Sequence, residues 1–252
     1  MTDGQSKSTK VFIVGAPRSG TSILVFALKD VFALPGFGES HVMPAFQRMV
    51  HHLRIYTNGF ADNKEVIMLK KLKQAELEEY IFAYIRGFYQ STFPGGSWVD
   101  KTPTSEAVFG LSFIESVFPD ARLIATKRNG IEVVTSHVKK FKSNFEDACG
   151  SWLKSMEGLS RARKVCKNLL EVDQYDFVNA TDDVAGRIAE HLGRPESAAP
   201  LAQYFVNTRV EQSSALDPKV KPRLADTQWT DEQKAVFTQQ CGDMMRLMHY
   251  EM

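Results

Sequence analysis

One junction constrains the fold of this chain more than any other. The apolar run Lys10–Val14 (KVFIV) passes directly into Gly15-Ala16-Pro17-Arg18-Ser19-Gly20-Thr21-Ser22, and then into a second apolar stretch ending near Ala33. A short β-branched run suits a strand buried on both faces. The stretch Thr21–Ala33 reads as a helix packed on that strand. Between them, Gly15 and Gly20 stand in the G-x4-G spacing of a P-loop. Such a strand–loop–helix joint has a physical purpose. Its backbone N–H groups converge on one point, and the helix start adds about half a positive charge there. Glycine lets the backbone approach an anion with no Cβ between. The expected ligand is a phosphate or a chemically similar anion.

The rest of the chain extends the same pattern. Helices are expected at Met43–Thr57, Gln74–Ser91, Thr104–Phe118, from Asn129-Gly130 to about Lys140, and at Phe145–Cys166, Thr181–Leu192 and Thr230–His249. Short strands are expected at Ser97–Lys101, Arg122–Thr126 and Leu169–Val172. Strands alternating with helices imply an α/β fold with a parallel, doubly wound sheet, of P-loop-containing nucleotide-binding type. Gly193 and Pro195 stop one helix. Thr230 with Gln233 forms a capping box at the start of the last. Asn207–Gln228 shows no period and reads as a long loop. Residues 1–9 are a polar tail, and residues 10–252 read as one domain.

Composition narrows the function. Lys and Arg total 31 against 30 Asp and Glu, a net charge of +1 over 252 residues. That balance offers no basic face for nucleic acid, so any anion site is local. Three scattered cysteines (Cys149, Cys166, Cys241) make neither a disulfide framework nor a zinc site. The longest apolar stretch, Ile23–Leu28, is far short of the ~20 residues a membrane span needs. MTDGQSKSTK has no apolar core of the kind a signal peptide carries. A soluble, cytoplasmic protein is expected.

The loop departs from a nucleotide triphosphatase in one informative way. Thr21 occupies the slot where such enzymes carry Lys, and the cation lies earlier, as Arg18. An arginine with hydroxyls at Ser19, Thr21 and Ser22 suits direct hydrogen bonds to one phosphate rather than a metal-bridged triphosphate. A second strand–turn–helix begins at Arg122, with Arg128 at the strand end and Ser136 about two turns along the helix. A guanidinium fork and a hydroxyl donor there suit a second, separate phosphate. Both sites fall on the C-terminal edge of a parallel sheet, where ligands of such sheets bind.

GAPRSGTS, the pair Arg128/Ser136 after FPDARLIATKRNG, and the spacing between them resemble the sulfotransferase family. The similarity is greatest to the branch containing tyrosylprotein sulfotransferases and small bacterial enzymes. The resemblance implies 3′-phosphoadenosine-5′-phosphosulfate (PAPS) as sulfuryl donor, 3′-phosphoadenosine-5′-phosphate (PAP) as product, and no metal. It implies that Arg18, Ser19, Gly20, Thr21 and Ser22 cradle the 5′-phosphosulfate, while Arg128 and Ser136 hold the 3′-phosphate. Gly38-Glu39 resembles the segment that supplies the catalytic base. Lys101-Thr102-Pro103 resembles the Lys near the leaving group, with Thr102 where that branch often has an acid. Lys221-Pro222, preceded by Ser213 or Ser214, resembles a late Lys-Pro that closes over the cofactor. His41 is a rival base. The implied acceptor carries a hydroxyl or, less favoured, an amine, on a small molecule, glycan, lipid or peptide. An atypical small-molecule kinase and a non-catalytic nucleotide-binding module are the competing readings. Tyr175 and the tryptophans (Trp98, Trp152, Trp229) are candidates for stacking on adenine, though such aromatics more often fill a core.

Overall fold

The computed structural model describes residues 8–60, 68, 73–208 and 221–252. Its centre is a parallel sheet of four strands among the described residues: β1 (Lys10–Gly15), β2 (Trp98–Thr102), β3 (Arg122–Lys127) and β4 (Leu169–Asp173), in spatial order β2-β1-β3-β4. β1 pairs with both β2 and β3, so it lies between the strands that follow it on either side. The chain leaves β1 toward one edge and later returns to the other. That reversal puts the loop after β1 at the point where an open α/β sheet binds ligands.

The helices are α1 (Thr21–Val31), α2 (Val42–Asn58), α3 (Gln74–Thr92), α4 (Ser105–Phe109), α5 (Leu111–Val117), α6 (Gly130–Phe141), α7 (Phe145–Val165), α8 (Asp176–Asn179), α9 (Thr181–His191), α10 (Ala198–Asn207) and α11 (Asp231–Leu247). Strand alternation divides the core in two. Phe12, Val14, Trp98, Leu123 and Ala125 face a layer with residues of α3–α7 and α11, including Tyr89, Trp152 and Phe237. Val11, Ile13, Val99, Ile124 and Val172 face α1, α9 and α10. No described helix is long and apolar enough to cross a membrane.

Most expected elements appear within a residue or two of their sequence positions. The single helix expected over Thr104–Phe118 is instead α4 and α5, broken at Gly110. A Cβ there would lie 2.3 Å from Gln47 Oε1 of α2, so close packing by a neighbouring helix falls on the break. Helices α8 and α10 add to the elements that periodicity singled out. The described end of the expected loop Asn207–Gln228 carries a 3-10 turn at Leu224–Asp226. Residues 209–220, with Ser213 and Ser214, lie outside the described residues. The capping box of α11 forms as expected, with Thr230 Oγ1 accepting from Gln233 N and Gln233 Oε1 accepting from Thr230 N.

Candidate active site

The loop after β1 owes its shape to two left-handed residues, Arg18 (φ 73°) and Gly20 (φ 92°). Gly15 is needed for a different reason. A Cβ there would lie 2.3 Å from Thr126 Oγ1 and 2.7 Å from Thr126 O, so the loop can leave β1 against β3 only without a side chain. Helix α1 starts with no side-chain cap and no acidic residue in its first turn. α4, α6, α7 and α11 each have a capping side chain and an acid there. Helices α2 and α10 also start without either, so what sets α1 apart is the loop ahead of it, with its left-handed Arg18 and Gly20.

The described hydroxyls divide in an unexpected way. Ser19 is fully buried, and its Oγ donates to Ala16 O at 2.6 Å and shares a 2.7 Å hydrogen bond with Thr126 Oγ1. Its amide also donates to Ala16 O, at 3.2 Å. The sequence suggested a ligand-facing Ser19. The structure instead gives it the work of latching the loop to β3, because both its polar groups are spent inside the turn. Thr21, in the first turn of α1, is 3% exposed. Ser22 looks the other way, and its Oγ accepts from Lys101 Nζ at 3.1 Å.

Arg128 and Ser136 arrive from β3 and α6, but as part of one arrangement with Arg18 rather than as a separate pair. Arg18 Nε donates to Ser136 Oγ at 2.8 Å, and Arg128 Nη1 donates to the carbonyl of Arg18 at 3.1 Å. Arg128 also forms a buried ion pair with Glu132, at 2.6 Å. Burial, with the positive charge of Arg128 beside it, holds the Arg18 guanidinium below its ordinary pKa. Two guanidiniums brought this close favour an anion between or beside them. Trp152 Nε1 donates to Arg128 O at 3.0 Å, which fixes the strand end from below. Trp98 and Trp152 are core residues, not exposed stacking surfaces.

Glu39 and Lys101 are brought together. Lys101 Nζ donates to Glu39 Oε1 at 2.9 Å, and its side chain is 3% exposed while that of Glu39 is 47% exposed. His41 Nε2 lies 2.9 Å from Glu39 Oε2. Partial burial raises the Glu39 pKa. Hydrogen bonds and positive charge from Lys101 and His41 outweigh that, so the carboxyl sits below the ordinary glutamate range. Lys101 also reaches Ser22, so the carboxylate, the ammonium and the first turn of α1 form one continuous chain.

Lys221 lies at the same sheet edge, with Nζ 4.6 Å from the ring centroid of Tyr175. Tyr175 follows β4 directly, and its neighbour Gln174 packs against Gly20, where an added Cβ would lie 2.9 Å from Gln174 Cγ. Lys221 thus reaches the segment after β4, whose Gln174 borders the loop after β1.

A model of the sulfotransferase family matches residues 10–198. The chain belongs to that family. Solved structures agree in fold. The sulfotransferase domain of the olefin synthase from Synechococcus PCC 7002 aligns over 98% of each chain at 17% identity, with a TM-score of 0.55. Sulfotransferase STF9 from Mycobacterium avium aligns over 97% of this chain and 78% of its own at 16% identity, TM-score 0.55. STF1 from Mycobacterium tuberculosis H37Rv aligns over 92% and 77% at 16%, TM-score 0.52. No curated protein matches the chain in sequence. As in other sulfotransferases, a sulfonate donor and an acceptor are the two substrates to be placed.

The residues that sequence patterning missed lie behind Glu39. Asp100 is 5% exposed and accepts hydrogen bonds from Ser40 and Tyr89. An acidic residue between Trp98-Val99 and Lys101 in a fully buried strand is the signal that points to it.

Proposed function

We propose that this sulfotransferase moves the sulfuryl group of PAPS to an acceptor hydroxyl by in-line displacement, with Glu39 as the base and no metal ion. The observation that carries the proposal is the continuous chain Glu39–Lys101–Ser22, which joins a half-exposed carboxylate to the first turn of the helix behind an uncapped anion loop. The loop residues present fit the donor. Arg18, Gly20, Thr21 and Ser22 surround the dipole end of α1, while Arg18, Arg128 and Ser136 offer a guanidinium-rich place for a further phosphate. When bound, PAPS supplies the sulfuryl group and, as PAP, the leaving group.

The chain's own residues have clear tasks in that reaction. A carboxylate has about four lone-pair sites. Glu39 therefore keeps acceptor capacity on its exposed side and takes the hydroxyl proton as the new S–O bond forms. General bases of this kind contribute roughly 10²–10⁴-fold. The old S–O bond breaks toward the bridging oxygen, which keeps the electron pair. Two of the three donors of the Lys101 ammonium go to Glu39 and Ser22, and the third serves that oxygen. Arg18 and Lys101 place positive charge where a metal would otherwise stand, and Lys221 with Tyr175 closes the nucleotide side. A reducing, cytoplasmic setting belongs to the same proposal, since all three cysteines are free.

Two measurements test it. Calorimetry with PAP, with and without Mg²⁺, should show tight binding that is indifferent to the metal. ATP binding that requires Mg²⁺ would favour a kinase. With labelled PAPS and a panel of hydroxyl acceptors, Glu39→Gln should lose most turnover and keep PAP binding. Unchanged turnover removes Glu39 from the role.

A further inference from the structure

Strand alternation puts the side chains of Asp100 and Thr102 on one face of β2 and that of Lys101 on the other. The segment Glu39–His41 crosses the end of this strand and is gripped from both faces. On one side Lys101 Nζ holds Glu39 Oε1 at 2.9 Å. On the other, Ser40 Oγ donates to Asp100 Oδ2 at 2.6 Å, and His41 N donates to Thr102 Oγ1 at 3.2 Å. Between them the amide of Ser40 donates to the carbonyl of Lys101 at 3.0 Å. Three consecutive strand residues thus each hold one residue of the segment. The segment cannot slide along the strand or tilt off either face without breaking a hydrogen bond.

Asp100 is the costly member of this grip. It is 5% exposed and packs beside Trp98 and Tyr89 in the apolar layer. A carboxylate there is unfavourable unless it is well hydrogen-bonded, and an aliphatic residue would fill the position without that cost. Its Oδ2 accepts from Ser40 and from Tyr89 Oη, both at 2.6 Å. The Tyr89 bond anchors the carboxylate to α3, and the Ser40 bond transmits that anchor to the residue next to Glu39.

We propose that Asp100 is a positioning residue for Glu39: anchored by Tyr89, it fixes Ser40 and so sets where the Glu39 carboxylate stands relative to Lys101 and Ser22. The proposal rests on the reading of Glu39 as base, and its consequence is a specific split between turnover and binding. A displacement of about 1 Å in a reacting group can cost on the order of 10²-fold in rate without altering donor affinity.

The test uses Ser40→Ala, Tyr89→Phe, Asp100→Ala and Asp100→Asn in the full chain, with three readouts. These are PAP affinity by calorimetry, kcat and KM with labelled PAPS, and amide hydrogen exchange over residues 36–42. Ser40→Ala should lower kcat about tenfold while KM for PAPS and PAP affinity stay within about twofold. Exchange at residues 36–42 should quicken with the rest of the molecule unchanged. Asp100→Asn, which keeps an acceptor oxygen for Ser40, should restore most of what Asp100→Ala loses. Tyr89→Phe should lower the melting temperature and lower kcat less than Ser40→Ala does, because Ser40 still bonds the carboxylate directly. Wild-type exchange at 36–42 in Ser40→Ala overturns the proposal, as does undiminished kcat in that variant, or an Asn variant as impaired as the Ala one. If Asp100→Ala does not fold, Ser40→Ala still decides. If the wild type fails to bind PAP, the sulfuryl-transfer reading falls instead, and the exchange data alone judge the grip on Glu39–His41.

Discussion

Gly36 and Gly38 both precede Glu39, and the structure assigns them opposite sensitivities. Gly36 bridges to Val99 along the outer edge of β2, where Val99 N donates to Pro35 O at 2.9 Å. A Cβ at Gly36 would stand 2.1 Å from Val99 O and 2.8 Å from Val99 Cγ1. The first of these is backbone inside the sheet and has no rotamer to escape into. Relief requires the Pro35–Ser40 segment to move outward by about 1 Å or more, the scale on which misplaced reacting groups lose about 10²-fold. Overpacking of this kind costs about 1–3 kcal/mol, and weakening the bridge adds about 1 kcal/mol per hydrogen bond. At about 2–4 °C per kcal/mol for a chain of this length, Gly36→Ala should melt roughly 4–16 °C below wild type. Gly38 has nothing within 4 Å of an added Cβ, so Gly38→Ala should melt with the wild type. Paired thermal melts with calorimetry and PAPS turnover give the comparison: Gly36→Ala should keep PAP binding and lose turnover. Equal melting temperatures for the two variants would refute the close approach of Gly36 to β2.

Replacing Arg18 with Ala removes the guanidinium bonded to Ser136 and should weaken PAP binding about 10–100-fold by calorimetry, because charge-assisted bonds to phosphate are the strong ones. Lys101→Ala should slow single turnover about 10²–10³-fold with PAPS binding little changed, as loss of one donor to a leaving oxygen does; normal single-turnover rates would take Lys101 out of that role. With Glu39 as the proposed base, its depressed pKa should set the acid limb of turnover. The carboxylate stays ionised and active through neutral pH and is lost only as pH falls below the ordinary glutamate value of 4.5. The same sign applies to its ion pair with Lys101, whose stabilisation is present above that value and fades below it. A limb near the histidine range would instead assign the base to His41.

The sequence read well where local rules decide. The run of β-branched residues at Lys10–Val14, the glycine spacing after it and the Thr230–Gln233 box are all specified by neighbours in the chain, and each formed where expected. The same holds for the order of strands and helices.

Contacts between separate elements were decided by the tertiary structure. Which way a hydroxyl faces depends on what packs opposite it. Ser19 turns inward because Thr126 lies against it, and Ser22 meets Lys101 because β2 pairs beside β1. Arg18 reaches Ser136, rather than leaving that serine to Arg128, because β1 and β3 are neighbours in the sheet. Asp100 gains its role only because Tyr89 and Ser40 converge on it from a helix and a loop. Local propensity acts within a few residues and can be read from the chain, whereas a buried hydrogen bond needs its partner's position, which only the folded arrangement supplies.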